Sequence, residues 1–246
     1  MASVVILPSR QIPASRNQSF KGNRLSNLPP ESEVPKVVVG RLSLYLRELQ
    51  LVLGSGKSTI SSSTLARRLG LNASQVRKDF AYFGQFGYPG VGYRCDELTL
   101  KIKSILGTER VWPVALIGCG NLGQALLGYR GFGNQGFSVV AAFDKQASLV
   151  GKQFEGLTVE HMDELAETVK SRKIELAILA VPAAAAAEAA QEIVAAGITG
   201  IMNFAPVTLK LPPSVSKVGV DLAIELEQLA FSVVAKQRAR DRNPAN

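Results

Sequence analysis

Three observations predict an α/β chain, with an N-terminal winged helix-turn-helix domain followed by a Rossmann-like doubly wound parallel-sheet domain and a C-terminal helix. The first is charge. The 246 residues carry a net +8, but residues 34–107 hold 11 basic and 4 acidic side chains, whereas residues 108–246 hold 13 and 14. A concentrated positive field of this kind raises the local concentration of polyanions, nucleic acid first among them. The second is a change of pattern near Val111, from helices with short turns to alternating strand and helix. The third is a glycine hexapeptide, Gly118-Cys119-Gly120-Asn121-Leu122-Gly123, between the first of those strands and its helix.

Composition narrows the class. Apolar residues make up 46% and charged residues 20%, as in a soluble globular protein with a packed core. The longest apolar run, residues 176–187, contains Pro182 and is too short to span a bilayer, so no membrane association is expected. Two cysteines, Cys95 and Cys119, argue against a disulfide framework and fit a reducing cytoplasm. A single histidine, His161, excludes a multi-histidine metal site.

Residues 1–33 are rich in Ser, Asn, Pro and Arg and read as a disordered basic arm. In residues 34–107, Val38, Leu42, Tyr45, Leu46 and Leu49 recur at three- and four-residue steps and form one apolar helix face. A loop over residues 54–61 leads to a short helix over residues 62–69, closed by Gly70. Asn72 is a suitable N-cap for a third helix running to about Phe83. Residues 84–93, with their glycines, proline and aromatics, read as a turn between two short strands, the wing. A further helix is expected over residues 95–107.

Residues 108–220 carry the alternating pattern. Strands are expected over residues 114–117, 138–143, 176–181 and 199–202, with helices near 163–172 and 184–196. Residues 221–246 supply a last helix from Asp221 to about Arg240, with Leu222, Leu226, Leu229 and Val233 on one face. Such a stripe serves either the core or a dimer.

The hexapeptide alone is weak evidence, but its context is specific. It follows an apolar strand, opens a helix, and a second strand ends in Asp144, 21 residues after Gly123. The glycines permit close approach of a pyrophosphate to a helix N-terminus. Asp144 accepts hydrogen bonds from ribose hydroxyls and repels a 2′-phosphate, which favours NAD(H) over NADP(H); Lys145 weakens that exclusion slightly. Gly54-Ser55-Gly56-Lys57-Ser58-Thr59 mimics the end of a P-loop, but Leu51 stands where the first glycine belongs and the preceding segment is helical. No catalytic constellation is visible. His161 precedes a helix and reads as a surface or capping residue, and Cys119 reads as a small apolar filler at a tight turn.

The blocks Ser74-Gln75-Val76-Arg77-Lys78-Asp79-Phe80, Tyr82-Phe83-Gly84, Phe86-Gly87 and Gly90-Val91-Gly92-Tyr93 resemble the signature of the Rex redox-sensing transcriptional repressors. The hexapeptide, Phe143-Asp144, Asn203-Phe204-Ala205-Pro206 and Val220-Asp221-Leu222 also fit that family, and the resemblance spans roughly residues 34–235. It implies a homodimer that binds palindromic double-stranded operator DNA, binds NADH or NAD⁺ as regulatory ligand, leaves DNA when NADH binds, and exchanges its last helix between subunits. The expected cofactor-binding residues are Gly118, Cys119, Gly120, Asn121, Leu122, Gly123, Asp144, Lys145, Val181, Pro182, Asn203, Phe204 and Asp221. The expected DNA-binding residues are Lys57, Ser74, Gln75, Arg77, Lys78, Tyr82, Tyr88, Gly90, Tyr93 and Arg94, with Arg77 and Lys78 pointing in different directions from one helix. No catalytic and no metal-binding residue is expected. Two other readings stand beside this one: an NAD-dependent oxidoreductase with a fused basic domain, and a DNA-binding protein whose Rossmann domain takes coenzyme A or another nucleotide-like metabolite.

Overall fold

The computed structural model describes residues 34–242, so the arm read over residues 1–33 lies outside the described residues. The chain forms two compact units, one ending at Leu106 and the other beginning at Gly107.

The first unit opens with α1 (Lys36–Gly54), whose buried face is Val38, Leu42, Tyr45, Leu46, Leu49 and Val52. A two-residue strand, β1 (Thr59–Ile60), precedes α2 (Ser62–Arg68) and α3 (Ala73–Ala81). The Ser61 hydroxyl accepts from the Thr64 N–H and caps α2, and the Asn72 side chain accepts from the Ser74 N–H at 2.7 Å and caps α3. Val76 and Phe80 of α3 are buried with Leu65, Tyr93, Leu98 and Ile102 in one apolar cluster around α1. After β2 (Tyr93–Arg94), α4 (Cys95–Ile105) completes the unit.

The wing departs from the expected hairpin. β2 pairs antiparallel with β1, Ile60 opposite Tyr93, while residues 84–92 contain only an isolated bridge between Tyr88 and Gly92. The segment read as a loop before α2 therefore supplies the partner strand.

The second unit is a seven-stranded sheet in the order β5-β6-β4-β3-β7-β8-β9. Its strands are β3 (Trp112–Ile117), β4 (Phe137–Asp144), β5 (Gln153–Phe154), β6 (Leu157–His161), β7 (Leu176–Leu179), β8 (Gly200–Asn203) and β9 (Ser216–Gly219). All neighbours run parallel except β5, which pairs antiparallel with β6. Alternate strand residues serve opposite faces. Ala115, Ile117, Phe143 and Leu179 pack under α7 (Leu165–Arg172) and α8 (Ala183–Ala195). Val114, Leu116, Ala142 and Ile178 face α5 (Asn121–Leu127) and α6 (Gly131–Asn134). Both sheet faces are thus covered, which makes the sheet doubly wound.

The last helix, α9 (Leu222–Arg242), differs from the others. Leu222, Ile224, Leu226, Leu229, Phe231, Val233 and Val234 are all exposed in the single chain. The apolar stripe read from the sequence is present, and among the described residues it packs on no core of its own chain. No described helix is long and apolar enough to cross a membrane.

Candidate functional site

Strand order reverses at β3, whose neighbours β4 and β7 lie on either side. In open parallel sheets the crevice at such a reversal, beyond the strands' carboxyl ends, is where ligands bind. A cavity of about 280 Å³ lies there, lined by Gly118 and Gly120 after β3, Asp144 to Gln146 after β4, Ala180 to Pro182 after β7, and Glu188 and Ala189 of α8.

The glycine turn has its shape because no side chain fits. Gly118 has φ +94°, and a Cβ there would lie 2.7 Å from the Ala180 carbonyl oxygen. At Gly123, a Cβ would lie 1.9 Å from the Gly118 carbonyl oxygen, so α5 can pass this close to the turn only with glycine. Asp144 braces the same turn. Its Oδ2 accepts from the Cys119 N–H at 2.7 Å and its Oδ1 from the Gln146 N–H at 2.8 Å. Each carboxylate oxygen keeps a second lone pair for a ligand hydroxyl.

Cys119 itself is buried, with its Sγ 3.6 Å from the Phe143 carbonyl oxygen. Burial, reinforced by the Asp144 charge, pushes its thiol pKa up to about 12. The thiolate is the reactive form, so this cysteine is a packing residue at neutral pH. Lys145 lines the cavity, and its Nζ donates to Glu188 and Glu192 of α8, 2.7 Å each. Those hydrogen bonds hold the Lys145 pKa above its ordinary value and the Glu188 pKa below its own.

Val181 and Pro182 line the cavity with Gly118, Gly120, Asp144 and Lys145. Asn121 and Leu122 open α5 on exposed positions. Asn203 holds the loop after β8. It is buried, its Nδ2 donates to the carbonyls of Ala205 and Val207, and its Oδ1 accepts from the Ala205 N–H, so the amide braces that loop. Phe204 packs against the α5 side of the sheet. Asp221 caps α9, its Oδ1 accepting from the Ala223 N–H at 2.9 Å.

On the first unit, α3 presents Ser74, Arg77 and Lys78 outward. Arg77 donates to the Ser62 hydroxyl at 3.0 Å, and Lys57 is exposed in the turn before β1. The wing exposes Tyr88 and Gly90, and Tyr82 is exposed just past α3. Tyr88 and Arg94 both reach Glu97, the first through its hydroxyl and the second as an ion pair at 3.2 Å.

Two expected DNA contacts turn inward. Tyr93 is buried, its ring edge-on to Phe80 with centroids 5.1 Å apart, and it belongs to the core under the wing. Gln75 is half-buried and donates through Nε2 to the buried Asp79 at 2.7 Å. The spacing carried this signal, because Gln75 and Asp79 stand one helical turn apart and share the Val76–Phe80 side of α3.

Comparison with known proteins agrees with both halves. Residues 33–81 match a family described as putative DNA-binding protein N-terminus, and residues 109–207 match a CoA binding domain. A redox-sensing transcriptional repressor Rex from Syntrophobacter fumaroxidans is 43% identical over 201 residues, covering 81% of this chain and 96% of the relative. Its counterpart from Rhodopirellula baltica is 45% identical over 82% of this chain and 85% of the relative. The chain belongs to the Rex family of redox-sensing transcriptional repressors.

Solved Rex-family structures extend the match to three dimensions. RSP, a Rex-family repressor, superposes with a TM-score of 0.77 at 32% identity over 86% of this chain and 99% of its own. The complex of RSP with β-NAD⁺ and operator DNA gives 0.79 over 87% of this chain and 98% of its own. The relatives are named as repressors, not as enzymes. The oxidoreductase reading is set aside on that ground.

Proposed function

We propose that this Rex-family chain is a cytoplasmic homodimer that represses transcription by binding a palindromic operator and releases it when NADH binds, with NAD⁺ competing for the same site. One observation carries the reading: an acid-braced glycine turn at the sheet's reversal point and an outward basic recognition helix occur in one chain. The first suits a dinucleotide and the second a major groove. RSP supports it, having been solved with β-NAD⁺ and operator DNA and with β-NADH.

In this reading residues 34–107 bind DNA, residues 108–220 bind NAD(H), and residues 221–246 join the two subunits. Gly118, Gly120 and Gly123 admit the pyrophosphate beside the backbone of Cys119, Asn121 and Leu122. Asp144 receives the adenosine ribose, and Val181 and Pro182 close the cavity. Ser74, Arg77 and Lys78 meet the groove and its phosphates, while Lys57, Tyr82, Tyr88, Gly90 and Arg94 meet the backbone alongside. Two recognition helices must reach successive major grooves about 34–36 Å apart, so a ligand that binds one dimer form more tightly than the other controls DNA affinity.

The test is fluorescence anisotropy on a labelled operator, selected from a palindromic pool, at fixed salt. NADH is expected to release the complex at much lower concentration than NAD⁺. Release by neither nucleotide would overturn the sensor, and binding to no duplex would overturn the repressor.

A further inference from the structure

Asp79 is the one buried carboxylate described in the first unit, and it lies on α3, the helix proposed to read DNA. Four hydrogen bonds converge on it. Arg41 of α1 donates through Nε to Oδ2 at 2.5 Å and through Nη2 to Oδ1 at 2.7 Å. The Tyr45 hydroxyl, one turn further along α1, donates to Oδ2 at 2.6 Å. Gln75, one turn earlier on α3, donates to Oδ1 at 2.7 Å. Both oxygens are saturated, and the two helices are joined through a single planar group.

An apolar contact would hold α3 in the domain equally well, since buried ion pairs are often replaceable by apolar residues of similar shape without loss of stability. A two-pronged guanidinium–carboxylate pair adds direction, because both prongs must stay in plane. Val76 and Phe80 pack α3 against the core through apolar contacts, and apolar burial is non-directional. The opposite side of the helix needs that direction. At about 100° per residue, Arg77 projects about 160° and Ser74 about 140° from Asp79.

We propose that Asp79 is a positioning residue for DNA recognition: Arg41 and Tyr45 hold its carboxylate, set the rotation of α3 about its own axis, and thereby aim Ser74 and Arg77. This rests on reading α3 as the recognition helix. Asp79, Arg41 and Tyr45 touch no DNA in this account. They act through the helix that does.

The experiment uses the full chain and compares the selected operator with an unrelated duplex of equal length, at one salt concentration, for the wild type, Asp79→Asn, Arg41→Lys and Tyr45→Phe. Arg41→Lys keeps the charge and loses the fork, and Tyr45→Phe keeps the ring and loses one hydrogen bond. The expected result for Asp79→Asn and Arg41→Lys is a fall of about tenfold or more in operator affinity, the size of a lost specific contact. Affinity for the unrelated duplex, its salt dependence and NADH binding should stay within about twofold, because the phosphate contacts are intact. For Tyr45→Phe a smaller loss in the same ratio is expected. Equal losses on both duplexes, or none on either, would show the cluster to be structural support and overturn the proposal. Where Asp79→Asn fails to fold, as seen in its circular dichroism spectrum, Arg41→Lys and Tyr45→Phe decide by the same ratio. A wild type that prefers no duplex would overturn the repressor reading itself, and the aiming role with it.

Discussion

Asp144 does two jobs with one side chain. It holds the glycine turn through the Cys119 and Gln146 N–H groups, it lines the cavity, and in the proposed function it receives the ribose. Replacing it removes the brace together with the proposed ribose acceptor. Hydrogen bonds to charged groups are worth about 1.5–3 kcal/mol each. Asp144→Ala is therefore expected to weaken NADH binding by at least about tenfold, measured by calorimetric titration, and to narrow the preference for NADH over NADPH. A variant that keeps the wild-type preference would show that the carboxylate does not meet the ribose. Lys145 sharpens the expectation. With its ammonium held by Glu188 and Glu192, it offers little to a 2′-phosphate, so the local field at Asp144 stays negative.

At the scale of elements, the wing hangs on Tyr93. Its ring packs on Phe80, and its strand pairs with Ile60 at the entrance to α2, so the wing, the turn before α2 and α3 share one core. Tyr93→Ala removes a large buried ring and is expected to cost about 3–5 kcal/mol of stability, the usual range for deleting a core aromatic. Thermal unfolding followed by near-ultraviolet dichroism would register it, and a loss below about 1 kcal/mol would mean that the wing stands free of the domain. Most elements were legible before the structure. The helix over α1 announced itself by a five-residue apolar stripe, α3 by its Asn72 cap, and β3, β4 and β7 by continuous apolar runs. Four strands escaped, β1, β5, β6 and β9, and two of them had little pattern to show. β1 is two residues long and has no periodicity, and β9, Ser216–Gly219, is exposed throughout and edges the sheet without an apolar face. Burial of Tyr93 depends on partners far along the chain, Phe80 and Ile60, whereas the Gln75 hydrogen bond to Asp79 is local to α3. Residue type alone suggested DNA contacts for both. For the nucleotide cavity, the hexapeptide and Asp144 were readable from spacing, whereas Glu188 and Glu192 reach Lys145 only through the packing of α8 beside β4's end.

At the scale of the whole molecule, α9 is the helix that the described residues leave uncovered. Over its 21 residues α9 spans about 31 Å and leaves its apolar side chains in solvent. Contiguous apolar surface of that kind marks an interface. Leu226→Asp combined with Leu229→Asp is expected to convert the proposed dimer to a monomer in sedimentation analysis, because neither side chain supports the core of its own unit. The same variant should lose about two orders of magnitude in operator affinity, since a palindrome is read by two linked helices rather than one. A double variant that sediments as the wild type would place the interface elsewhere. The cavity by Asp144 has one more implication at this scale. The half of a dinucleotide that it suits, adenosine and pyrophosphate, is chemically the same in the oxidised and reduced forms, and discrimination is a difference between affinities. Contacts common to both forms cancel from that difference. In the proposed function, glycine turn and carboxylate thus set how much total nucleotide must be present before the protein responds, and the currency of the cell's reducing power is read at the other end of the ligand.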